Sequence, residues 1–188
     1  MSKEVEKMHK DYKIMLDEEF EVEFDALFDA FWTNDHPIWE ECKVMNDLSE
    51  FTASPFENKT RKFNFKVKMG VPFGPSHAPV EITQTMLEDD RKNGKVICEN
   101  AHKTDYPYAD TFDIVHRYEF VQVDGGKSRM KFFSRQEWRK KVPFVQGALN
   151  ALVNHKQGIF VKNVAKVIRK YTNEEIKNQN SRLCTKIL

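Results

Sequence analysis

The sequence has few cysteines, no long apolar run and almost no net charge, and each shortage removes a class of protein. Cys42, Cys98 and Cys184 are odd in number and widely spaced, with no CxxC. They read as reduced intracellular thiols, not as a disulfide framework. No stretch reaches the ~18 consecutive apolar residues of a membrane-spanning helix. The opening MSKEVEKMHKDYK is charged and lacks an apolar core, so no secretory signal is expected. Lys+Arg 30 against Asp+Glu 29 gives a net charge of +1 over 188 residues. That balance offers no support for a nucleic-acid partner. Asn58-Lys59-Thr60 matches a glycosylation acceptor, but in an intracellular chain the match is chance. Internal repeats and low-complexity segments are missing too.

Catalytic signatures are equally scarce. His9, His36, His77, His102, His116 and His155 show no metal-ligand spacing such as HExxH, so no metal is expected. There is no GxSxG elbow and no P-loop. Asp105 and Asp110 flank Pro107 and Tyr108 in a turn pattern. Paired carboxylates can do acid–base work, but turn-forming aspartates are far commoner. Cys98, on a strand, reads as inert. No catalytic residue and no cofactor are assigned.

What the chain does have is aromatic side chains, 12% of it, with fifteen Phe. Such a supply lines an apolar cavity or fills a dense core. The length suits one domain with a sizeable core. The clearest pattern runs from Arg61 to Met86. Phe63, Phe65, Val67 and Met69 alternate with Lys62, Asn64, Lys66 and Lys68, a period of two that marks a strand. A second alternation starts at Val80 and Ile82. The connection Gly70–Pro79 holds two Gly and three Pro and is too long for a two-residue hairpin. It carries Val71 and Phe73, which water does not favour. It is either an Ω-loop packed on its own core or a cover for something else.

The rest follows in order. Residues 1–12 form a polar lead-in. A first strand is expected over Ile14–Val22. Phe24, Leu27, Phe28 and Phe31 follow helical spacing, ended near Trp32 by turn residues. Residues 38–50 are ambiguous, with Trp39 and Val44 as candidates for burial. A third strand covers Lys95–Ala101, and 105–110 form a loop. A long strand spans Thr111–Val123, and Asp124-Gly125-Gly126 signals a hairpin to a partner over Ser128–Trp138. After Pro143 the period becomes helical. Leu149, Leu152, Val153, Phe160, Val164, Val167, Ile168 and Tyr171 form one stripe. That helix, Val145–Tyr171, is about 40 Å long. Gly158 within it implies close packing or a bend. Residues 173–188 read as a polar tail. The pattern predicts an α+β fold: a curved antiparallel sheet packed on a long C-terminal helix. The gap between sheet and helix is an apolar cavity suited to a small molecule.

Several motifs resemble the VASt or ASTER domain, the StAR-related sterol-transfer module of the Lam and Aster proteins. Gly74-Pro75, Ala78-Pro79-Val80-Glu81 and Thr83-Gln84-Thr85 are similar to one family run. Asp105, Pro107, Tyr108, Asp110 and Phe112 are similar to a second. Arg117-Tyr118, Lys127-Ser128-Arg129, the segment Trp138–Pro143 and Gly158 add to the match, which covers residues 15–172. The resemblance implies a START-like helix-grip fold over 13–172 that holds one sterol, such as cholesterol or ergosterol, and transfers it between membranes without a covalent step. The loop Val71, Pro72, Phe73, Gly74 and Pro75 would be the lid, with Phe73 touching ligand or bilayer. The chain is expected to be a monomer and a cytosolic domain. If it belongs to a longer anchored protein, it would act at endoplasmic reticulum membrane contact sites.

On this reading the cavity walls are Phe63, Phe65, Val67, Phe112, Ile114, Tyr118, Met130 and Phe132, with Leu152, Val153 and Phe160 from the helix. Each of these also suits an ordinary core. Gln84, His116, Ser134 and Gln136 share strand parity with apolar neighbours. Backbone or water satisfies them, or they meet a sterol hydroxyl. Lys62, Lys66 and Lys68 form a solvated sheet face or attract anionic lipid, and Arg139-Lys140-Lys141 adds to the second option. Two other classes fit the same fold: an enzyme of cyclase or hydrolase type acting on a hydrophobic substrate, and a peptide-binding module.

Overall fold

The structure, a computed structural model, describes residues 12–34, 36–69 and 75–185, with side chains described as far as 172. Strand β1 spans Lys13–Phe20, β2 Leu48–Ala53, β3 Thr60–Lys68 and β4 His77–Asp90. Strand β5 spans Lys95–Thr104, β6 Phe112–Val123 and β7 Lys127–Trp138. Helices α1, α2 and α3 cover Phe24–Trp32, Pro37–Met45 and Gln146–Thr185. The strands form one antiparallel sheet in the order β1-β7-β6-β5-β4-β3-β2. This is the expected α+β helix-grip architecture, with all three helices on one face.

Period-two alternation decides that face. Phe63 on β3 pairs with Ile82 on β4, and Tyr118 on β6 pairs with Phe132 on β7. Their side chains point to the helices, while Lys62 and Lys66 point out. Those two lysines meet Glu81 at 3.5 Å and Glu50 at 2.6 Å. Such exposed pairs contribute little to stability. Phe24, Leu27, Phe28 and Phe31 bury one stripe of α1. Phe28 and Phe31 pack their rings on Phe120 of the sheet at 6.3 and 5.4 Å. Val161, Val164, Ala165, Val167 and Ile168 of α3 join the same core.

Antiparallel order sorts the connections between two ends of the sheet. The far end carries the turns 54–59, 91–94 and 124–126. Gly125 and Gly126 adopt φ of 79° and 74° there, angles that favour glycine. The near end carries 69–76, 105–111 and 139–145. Met69 N–H donates to the Ser76 carbonyl at 2.9 Å, closing the base of the first of these. Lys156 Nζ of α3 donates to the Lys68 carbonyl at 2.9 Å and ties the helix to the end of β3.

Four sequence expectations change. The ambiguous 38–50 segment resolves into α2 and the start of β2. Pro37 sits at the first turn of α2, where its missing N–H costs nothing. Val44, a candidate for burial, is 79% exposed. Helix α3 does not end at Tyr171 but runs to Thr185. The segment after Tyr171 is polar but holds neither Pro nor Gly before 185, so nothing in it stops a helix. Gly158 is not a close-packing site, because a Cβ there would meet no atom within 4 Å.

Candidate binding cavity

Between the sheet and the helices lies a small, partly open apolar cavity of about 60 Å³. Phe31 and Trp32 of α1, Trp39 of α2 and Leu48 and Phe51 of β2 close one side. Phe63, Phe65, Ile82, Gln84, Asn100, Tyr118 and Phe120 form the sheet wall, and Phe160 and Val164 of α3 the roof. Ligand pockets usually measure about 300–1,000 Å³. At 60 Å³ the space holds a few waters, so a lipid-sized guest requires these aromatic walls to move apart. A larger hollow, about 300 Å³, opens over Asn64, Lys66, Glu81, Lys103 and Asp105. Its charged, solvent-open walls do not suit an apolar guest.

Arg61 lies behind the far part of the cavity wall, against its residues Trp32, Phe63 and Gln84. It is 2% exposed. Its Nη1 donates to the Trp32 carbonyl at 2.8 Å and to Asn34 Oδ1 at 2.7 Å, and its Nη2 donates to the Phe31 carbonyl at 2.9 Å. The guanidinium therefore caps the C-terminus of α1, where a positive charge is favoured. Its Nε donates to Gln84 Oε1 at 2.8 Å, and Gln84 Nε2 passes the chain to Asn100 Oδ1 at 2.9 Å. The rings of Trp32, Phe56 and Phe63 lie 4.5–5.1 Å from the charge. Burial lowers the Arg61 pKa to about 10, still protonated at neutral pH.

Toward the near end the polar groups are less well matched. His102 and His116 sit on β5 and β6 with ring centroids 4.1 Å apart. Ser134 is opposite His116 on β7, and its Oγ donates to Gln157 Oε1 of α3 at 2.7 Å. Gln157 Nε2, Gln136 Nε2, His102 Nε2 and both ring nitrogens of His116 are buried with no hydrogen-bond partner. Burial pushes His102 down to about 4. His116 is also held well below the usual imidazole value, by burial first and by His102 second. Both imidazoles are therefore neutral at pH 7. Burial raises the Cys42 thiol to about 12 and the Cys98 thiol further still, so neither is a ready nucleophile.

Of the wall residues read from sequence, Phe63, Phe65, Gln84, Tyr118 and Phe160 line the cavity. Met130 and Phe132 lie in the dense core, 1% and 0% exposed. Phe112 is buried against Trp138, ring to ring at 4.9 Å. Val67 and Ile114 on the strands and Leu152 and Val153 on α3 are half-buried and do not line the cavity. His116, Ser134 and Gln136 belong to the polar cluster. Val71, Pro72, Phe73 and Gly74 lie outside the described residues, and Pro75 is exposed. Trp39, Phe51, Arg61, Asn100, His102 and Gln157 were not anticipated at the site. Arg61 shares odd-numbered parity with Phe63, and Asn100 and His102 share parity with Cys98. Those alternations carried the signal.

The chain matches the family model described as VAD1 Analog of StAR-related lipid transfer domain over residues 14–155. It is 26% identical over 132 residues to Protein Aster-B of Homo sapiens and of Mus musculus. The match covers 67% of this chain and only 18% of either relative. Among solved structures, TTHA0849 from Thermus thermophilus superposes with a TM-score of 0.58 at 12% identity, covering 87% of this chain and 98% of that one. Norcoclaurine synthase from Thalictrum flavum superposes with a TM-score of 0.54 at 9% identity, covering 84% and 86%. Likenesses at such low identity concern the fold alone.

Proposed function

Because the chain belongs to the VAD1 Analog of StAR-related lipid transfer domain family, we propose that it binds a sterol between sheet and helix and carries it between membranes without covalent chemistry. The observation that supports this most is the cavity itself: an apolar space walled by aromatic rings, with the unpaired indole N–H of Trp39 in its wall and the unpaired His102 and His116 two residues along their strands from the wall residues Asn100 and Tyr118. A sterol has the matching form, a rigid apolar body with one hydroxyl. Its body displaces half-buried wall residues such as Trp39, Phe65 and Phe160, and its hydroxyl pairs with the His116–Gln136–Gln157 cluster directly or through water. Cholesterol and ergosterol are equivalent at this level, since one methyl group changes affinity by only about 1–3 kcal/mol. The similarity to Aster-B and the family resemblance support a cytosolic domain acting at endoplasmic reticulum contact sites.

Native mass spectrometry of sterol-loaded protein is expected to show one sterol per chain, and liposome transfer of dehydroergosterol to exceed background. No captured sterol sinks the reading, and capture without transfer reduces it to a sensor. Sterol affinity is expected to fall about fivefold or more in His116→Phe and Gln136→Leu, the loss of one hydrogen bond. Unchanged affinity in both removes the hydroxyl assignment. The enzyme alternative draws on the neutral imidazole pair and on a neighbour of this fold that is a synthase. It requires turnover of a hydrophobic substrate that His116→Phe abolishes.

A further inference from the structure

Phe144 is 104% exposed, more than any other large apolar side chain among the described residues. It lies in the β7–α3 connection with φ of 66°, a left-handed conformation that bulky residues rarely adopt. Tyr108, in the β5–β6 connection beside it, shares both traits: φ of 69° and 46% exposure. The two connections are tied together. Arg139 and Lys140 N–H groups both donate to the Thr111 carbonyl, at 2.7 and 3.2 Å. Thr111 in turn donates its N–H and Oγ1 to the Tyr108 carbonyl, at 2.9 and 2.5 Å. These bonds join the Tyr108 turn to the start of the β7–α3 connection, and each of the two connections presents an exposed aromatic residue at the near end of the sheet.

The charges beside them point to the kind of surface they meet. Arg139 pairs with Asp113 at 2.7 Å, and Lys140 with Asp110 at 3.3 Å. Lys141 is exposed and has no ion-pair partner among the described residues. A protein partner of ordinary size covers about 800 Å² per side. Phe144 stands instead at the tip of a short apolar run, with exposed Pro143 and half-buried Val142 and Val145, between Lys140, Lys141 and Gln146. An aromatic tip beside a free cation matches the bilayer interface, where rings settle at headgroup depth and lysine meets anionic lipid. We infer that Phe144 and Tyr108 form a membrane-docking edge, with Phe144 inserted among the lipids and Lys141 set against anionic headgroups. This deepens the sterol-carrier reading and rests on it for its purpose, but its test needs no cargo.

The test is co-sedimentation of the full chain with sterol-free phosphatidylcholine vesicles, with and without phosphatidylserine. Phe144→Ser is expected to weaken partitioning about tenfold on both vesicles, the loss of one buried aromatic. Tyr108→Ser follows with a smaller loss. Lys141→Ala weakens it about fivefold only where phosphatidylserine is present. Val44→Ser, the next most exposed large apolar site and one on α2, changes nothing. In Phe144→Trp, indole emission shifts to the blue on vesicles and is quenched by brominated lipid. Unchanged partitioning of Phe144→Ser, or an equal loss in Val44→Ser, overturns the proposal. So does Phe144-dependent self-association without vesicles, which would assign the edge to a protein contact. Sterol capture in solution stays unchanged in Phe144→Ser. Its absence in the unsubstituted chain sinks the carrier reading and leaves the vesicle result standing.

Discussion

At the far end of the interior, Arg61 is enclosed yet all of its nitrogens have partners, and the bonds continue through Gln84 to Asn100. At the near end, Gln136, Gln157 and both histidines keep buried nitrogens without partners. The same sheet supplies both. A buried polar group left unpaired costs about 1–3 kcal/mol, while a paired one is roughly neutral to favourable. The far end therefore reads as scaffold. The near end carries a cost that the bare fold does not need, and it is there that the proposed sterol hydroxyl would find its partners. Trp39 crosses the division: it lines the cavity beside the scaffold, yet its indole N–H is also unpaired.

The contrast can be broken at its strongest point first. Arg61→Leu is expected to lower unfolding free energy by about 3 kcal/mol, because several charge-assisted bonds vanish and the α1 carbonyls lose their cap. Urea denaturation measures it; a loss below about 1 kcal/mol means that the far end is not scaffold. Acid is the next lever. An unfolded imidazole titrates near 6.5, whereas His102 in the fold sits at about 4. Between those values the unfolded chain binds the proton and the folded chain does not, so stability is full above about pH 6.5 and is lost as the pH falls toward 4. Each such histidine contributes up to about 1.4 kcal/mol per pH unit. Denaturation at pH 7 and pH 5 should show the loss, and His102→Phe with His116→Phe should flatten it. A pH-independent stability in the unsubstituted chain would contradict the burial of the pair. The smallest effect has the opposite sign. Gln136→Leu removes an orphan donor and is expected to stabilise by about 1 kcal/mol while weakening sterol capture. A destabilised Gln136→Leu would show that the amide already has a structural partner.

Much of this was legible because the sheet writes its faces with period two. Phe63, Tyr118 and Phe132 declared an inner face, and Asp124-Gly125-Gly126 declared a turn. The long helix was visible in its stripe, but not its end, since a helix without Pro or Gly has no local stop signal. Trp39 was a candidate for burial, but its place in the cavity wall, like that of Phe51, was hidden by a short helix and a short edge strand that follow each other too closely for either period to register. Arg61 was hidden by its chemistry: alternation placed it inside, while charge argued that it belongs outside. Only the carbonyls of α1, about thirty residues earlier, resolve that conflict. Phe144 and Tyr108 carry no periodic signal, because their exposure is set by backbone angles in loops.

The Arg61 cap also bears on the order of assembly. Helix α1 has nine residues, fewer than the roughly 12–15 that an isolated helix needs to be even marginally stable in water. Its final carbonyls are satisfied by a side chain from β3, a strand that must first be drawn in across two intervening elements. Helix α1 is therefore expected to consolidate late, after the central hairpins have paired. Substitutions along its buried stripe should speed unfolding far more than they slow folding.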